Sequence, residues 1–384
     1  MQRRVFSRAQ AEAEFVHAMT RQVGYTAGAY SIKRMAEIVA HFDDATAYQF
    51  ELQKKLLAVG AEERQLTDKY ATDILHFAGE LGIIQKLQGA SAPHLARYVL
   101  TDAGVAIRAA REINPKLEQL VLEHLVLEND ADAYLRVLSL LQERASQRTD
   151  ETVTEFRDQI MQMREARLSW IKSAFPTKPI LMRLVKGGPS QIHWLKANRV
   201  GLVELDRLSN DFGRHHFSPR KSWATEMGHC SQDGRTIAER GLDLLKRSGW
   251  DGLNRAGQHW ITPSQETLEY LRISSIHGLF GVDGPTLDLL RPKAEIEVPD
   301  AQLVELTADF LRRAFVHIRL FHARQAPTSP AIYLTVDYER TSGRRFNHTE
   351  VLAAVAKEYG HEFSFLSSRS GALAYYQLRR AANG

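Results

Sequence analysis

Residues 81–84, Leu81-Gly82-Ile83-Ile84, close one helix, and residues 98–102, Tyr98-Val99-Leu100-Thr101-Asp102, open the next. Ala71, Ile74, Leu75, Ala78 and Leu81 recur at helical spacing, so Gln65 to Leu81 reads as an amphipathic helix with Thr67 as its N-cap. Gly82 follows the last apolar position, where a left-handed residue ends a helix. Ile83 to Leu87 and Leu95 to Leu100 read as short strands around the turn-rich tip Gln88-Gly89-Ala90-Ser91-Ala92-Pro93. The punctuation recurs downstream. Gly234 to Arg247 reads as a helix ending in Ser248-Gly249-Trp250, a polar loop follows, and Trp260-Ile261-Thr262-Pro263 opens a helix.

Working outward, Ile32 to Phe42 and Thr46 to Val59 read as two helices before the first of these stops, the second offering Phe50, Leu52, Leu56 and Leu57 to a core. Beyond it, helices are predicted over Gly104–Ile113, Pro115–Leu127, Ala131–Ser146 and Glu151–Ala174, with breaks at Asn114-Pro115 and Glu128-Asn129-Asp130. Around the second stop, Val200 to Leu208, Pro219 to Gly228 and Thr236 to Arg247 are three further helices, and Asp251 to Gln258 is the loop after them. The end of the chain reads as helix (Ala301 to Ala323), strand (Ile332 to Tyr338), helix (Asn347 to Tyr359) and hairpin (Glu362 to Leu366 with Leu373 to Leu378).

The chain has 384 residues, 44% of them hydrophobic and 25% charged, enough for two or three domains with their own cores. No apolar run reaches the roughly 18 residues of a membrane span, and the N-terminal basic residues precede no apolar stretch of the secretory kind. A single cysteine, Cys230, leaves no intrachain disulfide and no multi-cysteine zinc site. A cytoplasmic setting without membrane attachment is the expectation. Net charge is only +4, but it is unevenly spread: residues 151–250 sum to +6, against −4 for 251–300. Such a block suits a phosphate-binding stripe, and it equally suits solvated helix faces.

Catalytic constellations are weak. His215-His216 and His229-Cys230 lack the paired short spacing of zinc ligands, and the stretch from Gly213 to Lys221 reads equally well as a polar loop able to touch phosphate. Glu295-Ile296-Glu297 puts two carboxylates on one strand face without the nearby lysine of a nuclease, so an acidic surface linker explains it better. Lys186-Gly187-Gly188-Pro189-Ser190 lacks the spacing that wraps phosphates, and His94-Leu95-Ala96-Arg97 has no suitably spaced tyrosine after it. No catalytic residue, cofactor or metal is assigned. A nuclease with a cryptic site stays open.

Three helices, a two-stranded ribbon and a Thr-capped helix resemble the winged helix-turn-helix superfamily, over residues 32–108 and more loosely over 200–275. The resemblance implies a mainly α protein with small β-ribbons (an α+β chain), in which tandem winged-helix domains are joined by a helical segment. The expected divisions are a winged-helix domain over 1–108, a helical connector over 109–180, a second winged-helix domain over 181–280, a linker and helix over 281–330, and a small α+β or third winged-helix-like domain over 331–384. It also implies a third helix in the major groove and a wing on phosphate or the minor groove. Carried onto this chain, the DNA-contacting positions of the first domain are Arg64, Lys69, Thr72 and His76, with Lys86, His94 and Arg97 on the wing. The second domain offers Arg214, Arg220, Lys221, Arg235, Arg240, Lys246 and, on its wing, Arg255. Double-stranded DNA is the expected partner, with protein partners or self-association beside it, as in a non-catalytic subunit of a DNA-processing machine serving anti-phage defence, a mobile element or chromosome maintenance. Winged helices also bind proteins, and a kleisin-like scaffold is the alternative.

Overall fold

The computed structural model describes residues 31–42, 46–60, 68–87, 96–143, 151–160, 162, 210–249, 269, 286–318, 325–367 and 371–379. Over these the chain is mainly helical, with two small antiparallel sheets and one short parallel strand pair. It divides into two compact units, one uniting Ile32–Leu125 with Leu290–Gly384 and the other holding Val126–Leu289. No helix among the described residues is long and apolar enough to cross a membrane.

The first unit begins with α1 (Ile32–Ala36), which tightens into a 3-10 turn (Glu37–His41) and buries Ile32, Met35, Ile38 and Val39. Strand β1 (Thr46–Tyr48) and helix α2 (Gln49–Gly60) follow. This corrects the sequence reading of one helix from Thr46 to Val59. The first three residues are extended because they pair with β3, a partner far along the chain, and Phe50 stands exposed rather than in the core, while Leu52 and Leu56 are buried. Helix α3 (Asp68–Glu80) then buries Ala71, Ile74, Leu75 and Ala78, the expected stripe. Gly82 stops it with φ 84°, as the sequence predicts, and strands β2 (Ile84–Leu87) and β3 (Arg97–Leu100) follow.

The sheet order is β1-β3-β2, so the last strand lies in the middle, with Tyr48 opposite Arg97 and Arg97 opposite Leu87. Thr101 accepts a hydrogen bond from the Gly104 amide at 3.0 Å, capping α4 (Asp102–Ile113), and donates its own hydroxyl to the Gly82 carbonyl at 2.6 Å. One threonine therefore joins the stop of one helix to the start of another. Gly104 is required by the same approach: a β-carbon there would lie 2.1 Å from the Ile83 carbonyl oxygen.

Helix α5 (Pro115–Glu143) is continuous, which corrects the predicted break at Glu128-Asn129-Asp130. That polar triplet resembles a connection, yet Asp130 is wholly buried on a partner described below.

The C-terminal part of the first unit repeats the order of its N-terminal part, apart from the added strand β6. Helix α8 (Ala301–Ile318) precedes β5 (Ala326–Pro327), α9 (Ala331–Ser342), β6 (Arg345–Phe346), α10 (His348–Glu358), β7 (Phe363–Ser367) and β8 (Leu373–Leu378). (The labels α6 and α7 belong to Asn210–Glu226 and Glu239–Arg247 of the second unit.) Its sheet order is β5-β8-β7, again with the last strand in the middle. The helix and hairpin expected near 347–378 are present. The strand expected from Ile332 to Tyr338 is instead α9. Its β-branched and aromatic residues suit a strand by propensity, but Tyr333, Leu334, Thr335, Val336 and Glu339 are all buried in a helical environment, and tertiary packing prevails. Gly343, with φ 71°, ends the helix.

The two repeats pack together within this unit, α4 lying against α8. Arg340 donates to Glu123 at 2.9 Å, Asn114 donates to Asp337 at 3.3 Å, and Ser329 donates to Asp102. Leu303, Phe346 and Val351 form a core cluster with Tyr338 against it. Strand β4 (Ile296–Glu297) pairs with β6 in parallel, so the expected acidic linker is partly ordered sheet, and Glu297 binds Arg344 at 2.7 Å.

His348, at the start of α10, gives this unit a pH dependence. Its Nδ1 meets the Thr335 hydroxyl at 3.1 Å, and its Nε2 is buried. Burial of the ring, with the Arg291 charge second, lowers its pKa to about 4 from an ordinary 6.5. Between those values the unfolded chain binds the proton that the folded chain refuses, so stability is lost as pH falls from 6.5 towards 4. Thermal melts across that window should show the loss, and His348→Gln should flatten it. An equal slope in the variant would assign the effect to other groups.

Candidate nucleic-acid interface

The second unit contains the C-terminal part of α5, a helical stretch at 151–160, and helices α6 and α7. Helix α6 spans the stretch read as a polar loop from Gly213 to Lys221, so His215 and His216 are helical; Pro219 sits inside without ending it. Trp223 is fully buried. A turn carrying the Cys230–Ile237 bridge leads into α7, which starts later than the expected Thr236 and ends at Arg247, with Gly249 at φ 66° just beyond its C-cap Ser248. The helix expected at Val200 to Leu208 and the loop Asp251 to Gln258 lie outside the described residues.

Arg220 leaves the set of phosphate contacts. Its side chain and that of Asp130 are both 0% exposed. Nε and Nη2 donate to the two carboxylate oxygens at 2.7 and 2.6 Å, and Nη1 donates to the His216 carbonyl at 2.8 Å. A bidentate pair of this kind is a structural clamp between α5 and α6. Its guanidinium has no exposed edge to offer a ligand.

The turn before α7 is built around Asp233. Ser231 donates to its carboxylate at 2.6 Å and the Arg235 amide donates at 3.0 Å, and these two bonds, the serine first, hold the Asp233 carboxyl below the ordinary carboxylate range. Arg235 itself is 80% exposed, with its guanidinium 3.9 Å from that carboxylate. Lys246 is exposed, Lys221 and Arg240 are half-buried, and Arg247 pairs with Asp243 at 2.7 Å on the same helix. Over 210–249 there are seven Lys and Arg against five Asp and Glu, so the local balance is weakly basic before the buried Arg220 is set aside.

In the first unit, Lys86 on β2 and Arg97 on β3 are exposed and flank residues 88–95. Arg97 donates to the Thr46 hydroxyl at 3.0 Å and lies 5.4 Å over the Tyr48 ring. Thr72 accepts from Gln53 at 2.8 Å and ties α3 to α2, while His76 is half-buried. Lys69 and Arg214 lie on α3 and α6. Arg64, His94 and Arg255 lie outside the described residues. Lys86 and Arg97 are exposed on neighbouring strands but on opposite faces of the sheet, Lys86 opposite Tyr98 and Arg97 opposite Leu87, while Lys221 and Arg235 both act on Asp233 in the second unit.

The sequence reading missed Tyr48 and Phe50, an exposed stacked pair with ring centroids 5.7 Å apart. Both occur in a run of helical period, where aromatic residues look like core.

Among the described residues no group of three or more His, Cys, Asp and Glu is placed to hold a metal ion. His229 is buried and bonded to the Tyr134 hydroxyl at 2.7 Å. Burial pushes the Cys230 thiol up to about 12, against a smaller opposite pull from Lys221, so it is a poor nucleophile at neutral pH. Comparison with family models, with curated proteins and with solved structures gives no match.

Proposed function

We propose that this chain is a tandem winged-helix protein that binds double-stranded DNA as a non-catalytic part of a DNA-processing assembly. The observation that carries the reading is the repeated order of helix, strand, helix, helix, strand, strand, with the last strand central in both β1-β3-β2 and β5-β8-β7, once the two-residue β6, which pairs with β4 outside the second sheet, is set aside. In that topology the third helix is the groove reader and the hairpin is the wing. The cations flanking the first hairpin, Lys86 and Arg97, and the exposed Arg235 and Lys246 of the other unit supply phosphate contacts. The repeats are joined by α4 against α8 and by hydrogen-bonded side chains, which suits a scaffold holding two modules at one spacing.

A protein-binding scaffold is the second reading, and the third helices favour it. Asp73 and Glu80 are half-buried on α3, and α10 exposes Glu350 and Glu358 beside Lys357. Acids there repel phosphate and suit a basic protein surface.

Charge reversal separates the two. Arg97→Glu with Arg235→Glu should lower affinity for a blunt duplex by about ten- to a hundredfold while melting within about 0.5 kcal/mol of the parent, because both side chains are exposed. Fluorescence anisotropy on the full chain measures it. Unchanged duplex affinity in a folded variant would favour the scaffold.

A further inference from the structure

We infer that Tyr48, Phe50 and Arg97 form a stacking platform for an unpaired nucleobase beside the first hairpin. The inference rests on the nucleic-acid reading above and adds to it a second ligand form, single-stranded nucleic acid. Tyr48 ends β1 and Phe50 starts α2, so a strand-to-helix junction presents both rings together. They are 38% and 47% exposed, with an interplanar angle of 29° and centroids 5.7 Å apart. Large rings are normally buried, and leaving two side by side in water is costly unless something covers them. A planar base can extend the stack, since every base offers a π-face regardless of sequence.

Charge selects the occupant. Arg97 lies over Tyr48, and its register partners Tyr48 and Leu87 place it in the middle of the sheet row. Lys54 stands one helical turn from Phe50 and is exposed. Two cations therefore border the rings, as a strand carrying one phosphate per base requires. Among the described residues of this junction the acid is Glu51, which is held back on the backbone by accepting the Tyr48 amide at 3.1 Å and keeps its charge. An apolar peptide would use the rings but leave both cations unmatched.

The test uses the full-length protein and a labelled oligothymidine of about fifteen nucleotides, with a blunt duplex as the second probe. The wild type should bind the oligothymidine, Phe50→Ala should weaken that binding by about ten- to a hundredfold, and Phe50→Trp should keep it. Blunt-duplex affinity should change little in either variant. Wild-type protein that ignores oligothymidine, or a folded Phe50→Ala that binds it unchanged, overturns the platform. Loss of self-association in Phe50→Ala, seen by light scattering, without loss of oligothymidine binding also overturns it and assigns the rings to a contact between copies. Oligothymidine binding without blunt-duplex binding would support the platform and overturn only the duplex reading.

Discussion

Asp130→Ala should destabilise the second unit by about 3–5 kcal/mol, the cost of leaving a buried guanidinium without its counter-charge. Arg220 and Asp130 are both sealed from solvent, and neither can recover its lost bonds from water. Arg220 also lies 5.6 Å over the Trp223 ring, so its displacement would disturb the largest buried side chain of α6. The double variant Asp130→Leu with Arg220→Met should recover most of the loss, because buried pairs replaced by apolar side chains of similar volume are often neutral or better. Urea titration of the three proteins gives the cycle. A mild effect of Asp130→Ala would mean that water reaches the pair. The double variant also separates structure from function: unchanged duplex affinity is expected, and a folded protein that has lost it would return Arg220 to the interface.

Glu339→Ala should cost about 3 kcal/mol or more in the first unit. This carboxylate is 0% exposed and accepts from Arg291 Nε at 2.6 Å, from Arg291 Nη2, and from the Phe346 amide at 2.7 Å. Hydrogen bonds involving a charged group contribute about 1.5–3 kcal/mol each, and Arg291, only 12% exposed in the intact pair, would be left without its counter-charge. Arg291 also donates to the Phe346 carbonyl at 2.6 Å, so both backbone groups of Phe346 depend on one ion pair. The break should therefore spread to β6 and its partner β4. Hydrogen exchange at Phe346 would report it: rapid exchange in Glu339→Ala and slow exchange in the parent are expected. Protection retained in the variant would show that the core of Leu303, Phe346 and Val351 holds the strand alone.

What was legible in the sequence was local. The stop at Gly82, the cap at Thr101 and the closing hairpin each depend on residues within a few positions of one another, and each is where the pattern places it. The strand β1 was hidden because it is three residues long and its pairing partner lies some fifty residues downstream. Asp130 read as a helix break and Arg220 as a surface cation for one shared reason: each is explained only by the other, 90 positions away. For α9, Pro330 at its start and Gly343 after its end marked a helix, but the β-branched composition between them outweighed that signal. Phe50 shows the limit from the other side, since hydrophobic periodicity assigns a ring to the core whether or not a core receives it.

Duplex binding is tested most directly by titrating the full-length protein with a blunt DNA duplex across the range from about 50 to 200 mM salt. Six of the proposed phosphate contacts are exposed or half-buried: Lys86, Arg97, Lys221, Arg235, Arg240 and Lys246. If phosphates equal in number are neutralised, affinity should fall on the order of a thousandfold across that range, with little dependence on base sequence. No binding at the lower salt, or binding indifferent to salt, would contradict a phosphate-directed interface.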